Sequence, residues 1–164
     1  MTASGIWNLI QWVHYLALSL WIGGIVFLAC VAAPSIHHSM ASRAIAGEIV
    51  SKILARLNLI ELGCCVILVL TSFSSYPFIQ GYHSMIWNLS LAFLFMGAVT
   101  AFCTFYLSPR MQSLKQKIPT LDTLSSTHAG KMEFDRLHRM YVKLMSLNLV
   151  LGMGALYLSV VIFN

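Results

Sequence analysis

IWNLIQWVHYLALSLWIGGIVFLACVAA, residues Ile6 to Ala33, carries no Lys, Arg, Asp or Glu. About 20 apolar residues in a helix cross the hydrocarbon of a bilayer, so this run is long enough to span one. It is too long for the apolar core of a secretory leader, and no basic region precedes it. The run therefore reads as a retained transmembrane helix. One residue in it stands out: His14, because a group that can ionise is costly in lipid.

The rest of the chain agrees with a membrane reading. Of 164 residues, 59% are hydrophobic and 9% charged, against about 25% charged in soluble domains. That deficit excludes an ordinary globular protein and a disordered one. Three further apolar runs follow, so one transmembrane domain over 1–164 is expected, with spans near 6–33, 57–79, 85–107 and 144–163. The expected fold is all-α: an integral membrane four-helix bundle with two cytoplasmic juxtamembrane amphipathic helices.

Those two helices are read from periodicity. Ile45, Ala46, Ile49, Val50, Ile53, Leu54 and Leu57 share a face, with Glu48, Lys52 and Arg56 opposite at four-residue spacing. Phe134, Leu137, Tyr141, Leu144 and Asn148 repeat the pattern, with Lys131, Asp135, Arg139 and Lys143 as the second ladder. Pro34 and Pro109 are expected to end or kink the spans they follow. Ser35–Ser42 then reads as a polar turn, and Arg110–Ser126 as the longest loop, with Ile118-Pro119 and a Thr/Ser cluster suited to turns.

All ten basic residues fall in two windows, Arg43–Arg56 and Arg110–Lys143. The net charge of +5 is thus a topology and lipid-headgroup signal, worth about 1 kcal/mol per residue near an anionic surface. No aromatic-basic interleaving suits nucleic acid. The positive-inside rule places both basic loops in the cytoplasm and both termini outside, in a cell membrane, with compactness leaning towards a bacterial inner membrane. The partners expected are the bilayer and a membrane-protein partner or second copy. The two halves also resemble each other: Ala46-Gly47, Leu54 and Arg56 match Ala129-Gly130, Leu137 and Arg139 at one offset, as in a parallel repeat.

Candidate chemistry is sparse. Trp7, His14, Trp21 and Leu28 lie seven apart on one stripe, with Gln11 a turn before His14, so His14 is expected to face other helices. Three readings of it compete: a hydrogen-bonded packing residue, a haem or metal ligand, or a proton or substrate contact. Glu61 is the one acid inside an apolar run; it is read as either paired with Arg136, Arg139 or Lys143, or as a proton-relay or ion contact. His138 lies near the basic end, on a different level from His14, so the two should not share a metal. Asn148 offers interhelical hydrogen bonds, as do Asn88 and Thr100. Cys30, Cys64, Cys65 and Cys103 form no CxxC pair, and the nine methionines read as core filler. No nucleophile–base pair, phosphate loop or paired acid site is visible, so a non-enzymatic role is expected. The residues carried forward are His14 for a cofactor, with haem as the candidate, and Gln11, Trp21, Glu61, His138 and Asn148 as polar or ion contacts. No metal site is assigned.

HYLALSLWIGG with VAAPSI, AGEIVSKILARLNLIE and FDRLHRMYVKLMSLNLVLG together resemble the transmembrane protein 205-like family. The pieces are Trp21-Ile22-Gly23-Gly24, Ala33-Pro34, Ala46-Gly47, and Phe134 with Leu137-His138. The resemblance implies a four-helix membrane domain of unassigned activity, with small-solute binding or transport, or a partner role, as its function. His14, Trp21 and Gly23-Gly24 are also similar to the first span of copper-resistance D-type proteins and of membrane-bound protoporphyrinogen oxidase. The latter implies haem at a first-span histidine, and the former copper handling. The oxidase family has an Arg shortly after the proline turn, where this chain has Ser35-Ile36-His37.

Overall fold

The computed structural model describes residues 2–79, 81–118 and 128–163. Helix α1 (Ala3–Phe27) starts at Thr2, whose side chain accepts from the Gly5 N–H at 3.3 Å. It runs through one π-helical turn, Leu28–Ala32, into α2 (Ala33–Ser39). Helix α3 (Arg43–Ser74) returns. Helix α4 (His83–Phe102) descends and passes through a second π turn, Cys103–Leu107, into α5 (Ser108–Lys117). Helix α6 (Ala129–Phe163) climbs back. Four of these continuous rods are long and apolar enough to cross a membrane, and there is no strand among the described residues.

Several boundaries differ from the sequence expectation. Neither proline ends its helix, and Ser35–Ser39 and Arg110–Lys117 are helical rather than turn or loop. Proline lacks an N–H and its ring crowds the carbonyl four residues back. In both places the preceding π turn absorbs this, with the Ala33 N–H bonded to Leu28 O and the Ser108 N–H to Cys103 O. The amphipathic segments are likewise not separate helices: they are the first turns of α3 and α6. The second span ends at Ser74 rather than reaching Ile79. The expected Thr/Ser turn cluster and Pro119 lie outside the described residues.

In the ring of helices, α1 and α4 each pack against both α3 and α6, giving an up-down-up-down bundle. Its axis holds Leu18, Trp21, Leu68, Ile86, Leu89, Phe93 and Met96, all fully buried. Close approach depends on glycine where α3 meets α4. A Cβ at Gly97 would collide with the Cys65 side chain. Outward-facing Trp12, Leu16, Phe27, Val66, Leu70, Phe105, Val150, Met153 and Tyr157 are exposed. So broad an apolar surface is stable only against lipid.

The polarity gradient along the rods is just as clear. At one end, α2 packs on α3 and α5 on α6. Arg110 donates through Nε and Nη2 to Glu133 Oε1 at 3.2 and 2.9 Å, and the Lys115 ammonium lies 5.2 Å from the Phe134 ring centre. The ladders hold Lys52–Glu48 at 2.7 Å and Lys131–Asp135 at 3.6 Å. Such exposed pairs contribute at most about 1 kcal/mol each. The opposite end carries Thr2, Phe163 and the end of α3 and start of α4, with no Lys or Arg among the described residues.

Candidate intramembrane polar site

Inside the bundle the usual distribution inverts. His14, Asn58, Glu61, Thr71, Thr100, Asn148 and Ser159 are buried while the lipid face is apolar. They fall into two clusters at different depths.

The upper cluster surrounds His14 of α1. Its Nδ1 lies 2.8 Å from Thr71 Oγ1 of α3, and its Nε2 3.0 Å from Ser159 Oγ of α6. A neutral imidazole offers one N–H and one lone pair, so one hydroxyl accepts from the ring, and the other donates to it only by turning its single proton away from its own helix carbonyl, Ile67 or Leu68 O for Thr71 and Ala155 O for Ser159. Rings close the rest of its surroundings, with centroids at 4.8 Å for Phe163 and 5.6 Å for Phe93. Gln11 Nε2 donates to the Phe163 carbonyl at 2.7 Å, satisfying an acceptor that the helix end leaves free. His14 therefore faces the bundle as expected, but both its ring nitrogens are engaged. A haem iron at His14 would have to displace one of those hydroxyls. No group of three His, Cys, Asp or Glu able to hold a metal lies among the described residues. The haem alternative gains no support from this geometry.

The lower cluster joins α3, α4 and α6. The Thr100 hydroxyl donates to Glu61 Oε2 at 3.0 Å. Asn148 Nδ2 donates to Thr100 Oγ1 at 2.9 Å and to the Met96 carbonyl at 3.2 Å. One turn towards the basic end, Asn58 and Tyr141 bond each other, Nδ2 to Oη at 2.7 Å and Oη to Oδ1 at 3.0 Å. Glu61 is 1% exposed. Its expected basic partners do not meet it: Arg136, Arg139 and Lys143 lie on the exposed face of α6, and no described cation lies within 4.0 Å of the carboxylate. The helix rotation that buries Leu137, Tyr141 and Asn148 turns those cations outward.

Among the described residues, three buried side-chain polar atoms have no protein partner: Trp21 Nε1, Glu61 Oε1 and Asn148 Oδ1. They come from α1, α3 and α6. Two close contacts fix the helix levels. A Cβ on Gly24 would sit 2.6 Å from Leu57 Cδ1, and one on Gly152 would meet Ile22 at 3.1 Å and Met96 at 3.5 Å. Trp21, Glu61, Thr100 and Asn148 are each within four residues of these contacts, about one helical turn. A carboxylate buried without a counter-charge costs several kcal/mol, so this cluster has to take up a proton or another small neutralising group.

His138, by contrast, is exposed at the basic end and stacked on Phe134 with ring centres 6.3 Å apart. It joins neither cluster. Thr71 was not legible as a partner of His14, although Asn58, Glu61, Leu68, Thr71 and Ser75 recur at three- to seven-residue spacing along the buried face of α3.

A family model described as a domain of unknown function (DUF4149) matches residues 16–119, well over half the chain. No curated protein and no solved structure gives a significant match.

Proposed function

The chain belongs to the DUF4149 family, and from that premise we propose that it binds and passes a small polar solute inside its bundle. Glu61, Thr100 and Asn148 are the contact residues. The observation that carries this reading is Glu61 itself: 1% exposed, with no basic partner, and with one oxygen unpaired. An ionisable group retained at such cost inside a membrane bundle marks a solute or proton path. The sequence motifs that resemble the transmembrane protein 205-like family support the same non-enzymatic role. In this reading the basic end faces the cytoplasm and both termini lie outside a cell membrane. The support is the confinement of every Lys and Arg to two windows.

The test is flux in proteoliposomes, with protons followed by a pH-sensitive dye and Na⁺, K⁺ and Cu⁺ by direct assay. Glu61→Gln keeps the shape and removes the charge. It should lower the flux of the transported solute roughly tenfold or more, the equivalent of about 1.4 kcal/mol in the barrier. Equal flux through wild type and Glu61→Gln overturns the reading, as does no flux above protein-free liposomes for any of the four.

A further inference from the structure

We infer that the solute handled at the Glu61 site is the proton, held on Glu61 Oε1 beside the hydrogen-bonded Thr100–Asn148 pair. This rests on the small-solute reading above and specifies its solute.

The argument is a count of donors and acceptors. The groups joined to Glu61 act as donors: the Thr100 hydroxyl and, behind it, the Asn148 amide. Thr100 Oγ1 already accepts from Asn148, and Glu61 Oε2 already accepts from Thr100. The unpartnered acceptors are two, Glu61 Oε1 and Asn148 Oδ1. A hard metal cation needs about six or more oxygen ligands with lone pairs turned towards it. Two unpartnered acceptors fall well short of that number, and the Thr100 hydroxyl turns a donor towards the carboxylate.

Protonation of Glu61 Oε1 removes the uncompensated buried charge, leaves the Thr100 bond to Oε2 in place and moves no helix. The proton lost from the carboxyl passes to bulk water, and no other bond changes.

The neighbours leave this exchange to Glu61. From α3 the titratable groups nearest it are Cys64 and Cys65, and from the π turn below α4, Cys103. From α6 the nearest is Tyr141. Between Leu16 and Ala29, α1 supplies no titratable side chain. No described charge from any helix lies within 4.0 Å.

Infrared spectroscopy of the protein in liposomes decides the question, using chain labelled with ¹³C on glutamate carboxyls. The chain has three glutamates, Glu48, Glu61 and Glu133. The other two are paired with Lys52 and Arg110 at the basic end, so a protonated glutamate band at neutral pH reports Glu61 even without a variant. The expected result is such a C=O band, lost in Glu61→Gln, kept in Glu61→Asp made with ¹³C-aspartate, and giving way to carboxylate bands as pH rises. Exchange of Na⁺, K⁺ or Mg²⁺ should leave it unmoved, and Thr100→Val should shift it without abolishing it. Carboxylate bands at neutral pH that shift on cation exchange would make the solute a metal cation, overturning the inference while the small-solute reading stands. Bands that respond neither to pH nor to cations overturn both. A band unmoved by Thr100→Val places the protonated carboxyl elsewhere and overturns the inference.

Discussion

Asn58 and Tyr141 illustrate what one side chain can and cannot announce. Each is a polar residue on an apolar face of its helix, so the interior position of both is readable from spacing. Their reciprocal bond across the bundle is not, because it depends on how α3 and α6 rotate and slide against each other. The same holds for His14: its stripe turned it inward, but its partners come from helices 57 and 145 residues away. Glu61 shows the failure in its sharpest form. Its place near the basic boundary suggested Arg136, Arg139 or Lys143 as partners, and helix rotation left those cations on the exposed face of α6. The Asn58–Tyr141 pair is measurable alone. Tyr141→Phe should destabilise the bundle by about 0.6–1.7 kcal/mol, the range for interhelical hydrogen bonds in membranes. In a double-mutant cycle with Asn58→Leu, unfolded in detergent–SDS mixtures, the two changes should cost less together than the sum of each alone. Strict additivity would show that the bond contributes nothing to stability.

The elements were legible in number and composition but not at their ends. Four long apolar runs, interrupted by no charge but Glu61, can only be four spans, whereas a proline after a span reads as a stop. The π turns change that outcome. By inserting one extra residue per turn they remove the hydrogen bond that proline cannot make, and let α1 and α4 continue into α2 and α5. The approach of α3 to α4 depends on a second local feature, the missing side chain at Gly97. Valine there would drive its methyls into Cys65 and should cost about 1–3 kcal/mol, as overpacking does elsewhere. Gly23 is the matched control: a Cβ added there has no neighbour within 4 Å, so Gly23→Val should be close to neutral. Thermal unfolding in detergent compares the two, and Cys65→Ala should recover part of the Gly97→Val loss. Equal effects at both glycines would remove the close-packing explanation.

At the scale of the whole molecule, the two helix pairs bury corresponding positions. Counted from Pro34 and Pro109, His14, Leu18, Trp21, Ile25 and Leu28 fall at the positions of Leu89, Phe93, Met96, Thr100 and Cys103, and all ten are buried. In the register of Ala46 and Ala129, Asn58 falls at the position of Tyr141. Two equivalent positions bonded to each other are what an axis along the membrane normal would bring together. Against that background the departures are informative. Where one half carries His14, the other has leucine; Thr100 stands opposite Ile25, and Glu61 opposite Leu144. The polar clusters are built from the positions at which the halves differ, so the shared pattern supplies the scaffold and the exceptions supply the chemistry. Because α1 and α4 descend on opposite corners of the ring while α3 and α6 climb, every Lys and Arg is delivered to one end, and the proposed orientation becomes a single binary question. In a Cys30→Ala background, Ser84→Cys places an exposed thiol at the uncharged end and Gln116→Cys places one at the basic end. A membrane-impermeant maleimide added to intact cells should label Ser84→Cys, and should reach Gln116→Cys after permeabilisation only. The reverse pattern would turn the protein over. It would also break the link between its charge distribution and its insertion, since ten basic residues on one side and none on the other would then have been overridden.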